Sequence, residues 1–387
     1  MKIIGIICEY DPFHRGHAAQ IAAIRRQYGA DAAVVCVMSG SFVQRGEPAL
    51  FDKYRRSAAA VACGADLVLE LPVSRVLSSA EGFAAGGVEV LDRLGCVDHL
   101  CFGCECGSGD LLWAAANAMQ APDFDEALRR RLAEGIAYAA AKQQVLEARL
   151  GQKDILRRPN DILGAEYCRA LLKRHSAITP FAIPRPGDYH GGADPENPSA
   201  EHIRSQYPAP GWDAAIPSAS AELLHAATPH RMQWGDRAIL ARLRAMTEPE
   251  WAAAAHGSEG LWRKVAAAAR TCPTTEAVLQ AAKSKRYPMT RLRRLVLCAY
   301  LGISAEALTA PMEEVQVLAF SEAGRAVLKQ CREKGSLPLR NPGERCPAQE
   351  ESDRIEGLYA LFVPPESEPL NALENVFFGK MKKKLAK

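Results

Sequence analysis

Four short apolar runs, each followed by an amphipathic stretch of helical character, occupy the first hundred residues. The runs are 2–9 (KIIGIICE), 33–38 (AVVCVM), 66–72 (DLVLELP) and 97–103 (VDHLCFG). The stretches between them are 16–28 (GHAAQIAAIRRQY), about 52–63, and 78–95 (SSAEGFAAGGVEVLDRLG). A strand that is apolar throughout, rather than at alternate positions, is buried on both faces. Strands of that kind alternating with helices predict βαβ units and a parallel, doubly wound α/β sheet. Ligands of such sheets lie beyond the C-terminal strand ends, where the strand order reverses.

Residues 110–175 read as mostly helical, ending in the amphipathic helix PNDILGAEYCRALLKRH. Ile162, Leu163, Tyr167, Leu171 and Leu172 fall there at helical spacing. SAITPFAIP (176–184) reads as one more strand, and 185–205 as a polar loop rich in Gly and Pro. From about 215 onward the chain reads as helical. Two units follow: a sheet-containing unit over 1–210 and a mainly helical one over 211–387.

The net charge of +3 does not make the whole chain a polyanion binder, so a nucleic-acid surface has to be local. One candidate holds Lys283, Lys285, Arg286, Arg291, Arg293 and Arg294; another is the tail GKMKKKLAK. Arg291 and Arg294 are expected to share a helix face that meets phosphates, while Leu292 and Leu295 pack inward. The twelve cysteines show no disulfide spacing, and Cys8, Cys36, Cys63 and Cys298 sit in apolar runs. Cys101, Cys104 and Cys106 lack a second ligand pair at zinc spacing, so no metal site is expected. With no signal-like or membrane-spanning run, the expected location is the cytoplasm.

The chemistry concentrates where the first run ends, in DPFHRGH at 11–17. His14 and His17 flank Arg15-Gly16 at a strand-to-helix junction. A helix N-terminus offers unpaired N–H groups and the positive end of the helix dipole, which suit phosphate. Gly16 lets a nucleotide approach the backbone. Two imidazoles there can stabilise the charge that builds as an α-phosphate is attacked and pyrophosphate leaves. Neither the P-loop pattern nor the dinucleotide glycine fingerprint is present.

HxGH directly after the first strand of an α/β sheet resembles the signature of the HIGH-type nucleotidyltransferases, which implies a Rossmann-like sheet. The longer stretch GIICEYDPFHRGH resembles the opening of the bacterial tRNA(Met) cytidine acetate ligases, with Asp11 where that family usually has Asn. The likeness continues through MSGSFVQRGEPALFDKYRRSAAAVACGADLVLELP, FGCE, RRPNDILGAEY, SAEHIRS and KSKRYPMTRLRRLVL, in order along most of the chain. It implies an enzyme that uses ATP to convert acetate to acetyl-adenylate, then acetylates N4 of an anticodon cytidine of elongator tRNA(Met).

The resemblance also implies roles. Gly5, Ile6, Ile7, Cys8, Glu9, Tyr10, Asp11, Pro12, Phe13, His14, Arg15, Gly16, His17 and Ala18 would cradle ATP, with His14 and His17 as catalytic groups on the phosphates. Gly103, in the turn after the fourth strand, would lie near the adenosine. Asn160, expected at the N-cap of its helix, would contact ATP, as would Arg185 and Pro186 after the strand AITPFAI. Ser199 and Arg204 match a second phosphate-binding segment, in which Glu201 replaces the usual Thr. Acidic side chains at 11 and 201 must point away from a triphosphate or meet a cation. Lys283, Lys285, Arg286, Arg291 and Arg294 would contact tRNA, and Mg²⁺ would accompany the triphosphate. The loop bearing Gln44, Arg45, Glu47, Asp52 and Lys53 would close over acetate or admit the cytidine. Nothing in the sequence calls for an obligate protein partner.

Two other readings stand beside this one. A HIGH-type adenylyltransferase with a small-molecule acceptor is usually shorter and lacks a basic helical second half. A catalytically dead RNA-binding protein would have no need of an intact His14–Gly16–His17.

Overall fold

The computed structural model describes residues 1–184, 199–341 and 346–367. Its strands are β1 (Ile3–Cys8), β2 (Ala33–Ser39), β3 (Phe42–Val43), β4 (Glu47–Pro48), β5 (Leu67–Leu71), β6 (His99–Cys104), β7 (Thr179–Pro184), β8 (Val315–Phe320) and β9 (Leu339–Arg340). Among the described residues, seven of them form one sheet in the order β7-β6-β1-β2-β5-β8-β9, and β3 and β4 form a separate hairpin. All six residues of β1 are buried, as expected for the middle of a covered sheet. From β1 the chain builds outward through β2 and β5, then returns to lay β6 and β7 on the other side, all in parallel. The order therefore reverses at β1, and a crevice opens between the C-terminal ends of β1 and β6.

Helices α1 (Arg15–Tyr28) and α2 (Lys53–Ala62) cover one face; Ile21, Ile24 and Ala60 pack on Ile4, Ile6, Val34 and Cys36. On the other face lie α3 (Val73–Val76), α4 (Ala80–Arg93), α5 (Gly109–Ala118), α6 (Phe124–Ala133), α7 (Tyr138–Leu150) and α8 (Pro159–Lys173). Glycines let α4 sit close on β1. A Cβ on Gly5 would lie 2.6 Å from Leu91, and one on Gly87 would lie 2.6 Å from Ile7. Cys101 packs with the α1 face and Cys104 with the α4 face, because three residues along a strand reverse the direction of the side chain.

The second half contains α9 (Ala200–Gln206), α10 (Ser218–His225), α11 (Asp236–Ala245), α12 (Glu248–Ala253), α13 (Leu261–Thr271), α14 (Thr275–Ala282), α15 (Met289–Leu301), α16 (Glu322–Lys334) and α17 (Pro347–Tyr359). Their core includes Ile239, Val265, Leu279, Leu295 and Phe362, and Phe42 and Leu77 from the first half insert into it. Uniform helix after residue 215 is not what forms. β8, the run VQVLAF, pairs antiparallel with β5, and β9 pairs parallel with β8. The physical reason is the open edge of β5, whose backbone groups need partners that only a distant strand supplies. No helix of the described residues is long and apolar enough to cross a membrane.

Candidate active site

β1 ends at Cys8, and the chain turns through Tyr10, a non-glycine residue at φ 45°. His14 is the N-cap of α1. Its Nδ1 accepts from the Gly16 N–H at 3.1 Å, and the His17 Nδ1 accepts from the His14 N–H at 3.2 Å. This is a capping box built from two imidazoles. Because each Nδ1 is an acceptor, the proton of each neutral ring sits on Nε2, which makes both rings donors there. The rings lie 3.8 Å apart, and His17 also packs on Tyr10 and Phe13. The first turn of α1 carries no acidic residue, so nothing there cancels its attraction for an anion. Gly5, Ile6, Ile7 and Cys8 are buried in β1 beneath this turn.

The two acidic substitutions resolve geometrically. One Asp11 oxygen accepts the Leu50 N–H at 2.8 Å, and the other lies 3.6 Å from the Arg204 Nε. Arg204 also donates to the Asp11 carbonyl at 2.6 Å. Glu201 pairs with Arg45 at 2.7 Å. Ser199 caps α9 by accepting the His202 N–H at 3.2 Å. Thus Arg204 of α9 reaches the turn after β1 although 193 positions separate it from Asp11.

At the end of β6, Gly103 lies within the strand, opposite Ile183, rather than in the turn that follows. Asn160 is not the N-cap of α8. Arg158 holds that position and Pro159 begins the helix, so Asn160 is the second helical residue. Its side-chain Nδ2 donates to Glu105 at 2.7 Å, and Asp161 accepts the N–H groups of Glu105 and Cys106 at 2.7 and 3.0 Å. The β6 end and the start of α8 are thereby locked together. Arg185 and Pro186 lie outside the described residues.

Arg56 is the group that sequence reasoning missed. Fully buried, it donates to the carbonyls of Glu9, Ser39, Gly40 and Phe51, clamping the ends of β1 and β2. An arginine directly before the apolar run SAAAVA is its only trace in the sequence. Nearby, Asp52 caps α2 through the N–H groups of Tyr54 and Arg55. Lys53 is buried between Glu70 at 2.8 Å and Glu356 at 3.1 Å. Glu9 is half-buried; its Oε1 accepts the Gln44 N–H at 2.7 Å and the Ser39 hydroxyl at 3.3 Å. Burial pushes its carboxyl above the usual range.

The basic segment divides. Lys283, Lys285 and Arg286 are exposed, with Arg286 3.2 Å from Glu259. Arg291 is partly covered; it donates to Ser258 at 2.9 Å and lies over the Tyr287 ring. Arg294 does not share a solvent face with it. Arg294 is 8% exposed, donates to the Gln44 carbonyl at 3.3 Å, and is pushed down to about 10 by burial. The reason is the β3–β4 hairpin, which lies on α15: Arg293 pairs with Glu47, and a Cβ on Gly46 would stand 2.6 Å from the Arg294 backbone nitrogen. Tyr287 is buried, its hydroxyl on Glu259. The basic tail 379–387 lies outside the described residues.

The family model for HIGH nucleotidyltransferases matches residues 1–361. The chain is 35% identical to a tRNA(Met) cytidine acetate ligase of Caldanaerobacter subterraneus and 37% identical to one of Syntrophotalea carbinolica. Those matches cover 88% of this chain, and 88% and 84% of the relatives. The TmcAL of Thermotoga maritima, solved with alpha-thio ATP, superposes with a TM-score of 0.85 at 28% identity, over 96% of this chain and 98% of that one. The chain belongs to the tRNA(Met) cytidine acetate ligase family of HIGH nucleotidyltransferases. In this acetate ligase the match runs through β8, β9 and the basic segment, so these belong to the shared framework. The β3–β4 hairpin, which follows β2, meets α15 of the second half through Glu47–Arg293 and the Gln44 carbonyl. Among the described residues no group of three or more His, Cys, Asp or Glu stands together as a metal site.

Proposed function

We propose that the enzyme joins acetate to ATP, releasing pyrophosphate, and passes the acetyl group of the acetyl-adenylate to N4 of the wobble cytidine in the anticodon of elongator tRNA(Met). The observation that carries this reading is the imidazole pair at the acid-free N-terminus of α1, at the sheet's switch point, in a chain whose near-full-length relatives carry that activity by name. In this reading the α1 N–H groups and the Nε2 protons of His14 and His17 receive the phosphates as charge builds on them. Arg204 adds a cation over the same turn. Gly103 and Asn160 border the adenosine side, and Ser199, Arg185 and Pro186 complete the nucleotide's surroundings. Mg²⁺ would ride on the triphosphate, held by phosphate oxygens and water. Residues 1–210 supply activation, and 211–387 supply tRNA contacts through Lys283, Lys285 and Arg286, with Arg291 beside them and Arg294 behind. A small-molecule acceptor would leave the exposed basic segment without a purpose. A tRNA substrate and the free thiols of all twelve cysteines fit the cytoplasm.

The test is incubation with ATP, labelled acetate and bulk tRNA, followed by nucleoside analysis. Label in N4-acetylcytidine, dependent on ATP, is expected. Absence of both acetate-dependent pyrophosphate release and RNA label overturns the reading.

A further inference from the structure

We propose that Glu9 is the base that takes the proton from the cytosine N4 amine as the acetyl group is transferred; this rests on the function proposed above. The amine lone pair of cytosine is drawn into the ring, so N4 attacks poorly and becomes acidic as it bonds to carbon. A positioned base therefore accelerates the step. In that step the N4–C bond forms and the bond from the acetyl carbon to the adenylate oxygen breaks. AMP leaves with the electron pair, and the N4 proton passes to the Glu9 carboxylate and on to solvent.

Three features single out Glu9. The first is its seat. It directly precedes Tyr10, which packing holds at φ 45°, and such strained residues concentrate at functional sites. Arg56 anchors its carbonyl, so both the backbone and the exit direction of the side chain are set. The second is its hydrogen bonding. Oε1 is held by the Gln44 N–H and the Ser39 hydroxyl, whereas Oε2 takes no hydrogen bond among the described residues. The residue is only half-buried, at the C-terminal end of β1. The third is its place between the two halves. The Gln44 N–H rests on Glu9 and the Gln44 carbonyl receives Arg294 of α15. A single residue, Gln44, thus links the turn after β1 to α15, the helix that carries the later arginines of the basic segment.

The neighbouring groups are already committed. Asp11 serves Leu50 and Arg204, Glu105 serves Asn160, Asp52 caps α2, and Glu70 and Glu356 flank Lys53. His14 and His17 carry their protons on Nε2 and act as donors, which is the opposite role. The charged groups facing Glu9 are Asp11 of the same turn, Arg204 of α9 and Arg56 of α2, with the Tyr167 hydroxyl of α8 in its field. Burial dominates these and moves the carboxyl upward, toward the range where a base works at neutral pH.

The experiment compares wild type and Glu9→Gln in two half-reactions: acetate-dependent ATP–pyrophosphate exchange without RNA, and single-turnover acetyl transfer to an elongator tRNA(Met) transcript. Glutamine still accepts the Gln44 N–H. Transfer is expected to fall about 10²–10⁴-fold, at least tenfold more than exchange does. Wild-type transfer should fall as pH drops and the carboxylate is protonated, and the Glu9→Gln rate should lose that dependence. Equal losses in both half-reactions, an unchanged transfer rate, or a wild-type pH midpoint kept by Glu9→Gln overturns the proposal. A wild-type enzyme inactive in both half-reactions overturns instead the function on which it rests.

Discussion

The turn after β1 and the basic segment at 283–294 are both short runs of cationic or imidazole side chains, yet they acquire their geometry by opposite means. At the turn, His14 and His17 shape each other. The His14 ring accepts from the Gly16 N–H and the His17 ring from the His14 N–H, and α1 begins there as a consequence. In the basic segment, a hairpin some 250 positions away decides which cations face water. It buries Arg294, engages Arg293 through Glu47, and leaves Lys283, Lys285 and Arg286 outside. Local hydrogen bonds thus set the chemistry at one region, and long-range packing sorts the charges at the other.

Replacing His17 by Ala attacks the local side of that comparison and has the largest expected effect. It removes one donor from the phosphate site, so acetate-dependent exchange should drop about 10²–10³-fold. Half of the capping box goes as well, at about 1 kcal/mol of stability. The affinity for tRNA should stay within about twofold by filter binding, within ordinary non-additivity. A parallel loss of tRNA affinity would mean that the turn is not the self-contained device described above.

Gly46→Ala probes the long-range side. A Cβ there meets the Arg294 backbone at a position whose φ is +80°, so neither the hairpin nor α15 can yield cheaply. A destabilisation of about 2–3 kcal/mol is expected in denaturant melts. Unchanged stability would show that the hairpin does not set the arrangement of α15.

The smallest effect should come from the exposed cations. Neutralising Lys283, Lys285 and Arg286 together should lower the slope of log affinity against log salt by about two, since each contact to single-stranded RNA contributes about 0.7. Arg294→Ala should instead reduce stability and leave the slope unchanged. A slope change from Arg294 as large as that from the three exposed residues would erase the distinction between outward and buried cations.

Much of this was legible in the order of residues. The strands that become β1, β2, β5, β6 and β7 are apolar runs flanked by turn residues; the first four form within two residues of their expected ends, and β7 starts three residues later than expected. The HxGH motif reads correctly as a helix start because its partners lie within three positions of one another. Other features leave no local trace. VQVLAF is a short apolar run that helix and strand accommodate equally, and only the open edge of β5 decides between them. Asn160 reads as a cap until Pro159 is seen to begin the helix. Arg56 reads as a surface charge until the carbonyls of two strand ends and a loop converge on it.

By itself, then, the sequence determined the parallel sheet, the place of the crevice and the imidazole pair at its mouth, because strand character and helix capping depend on neighbours a few residues away. Only the tertiary structure decided where Asp11 and Glu201 point, which arginines of α15 face water, and that two strands from the second half extend the sheet past β5. Each of those outcomes depends on a charge or an edge finding its partner across the chain, and no periodicity or spacing encodes such a meeting.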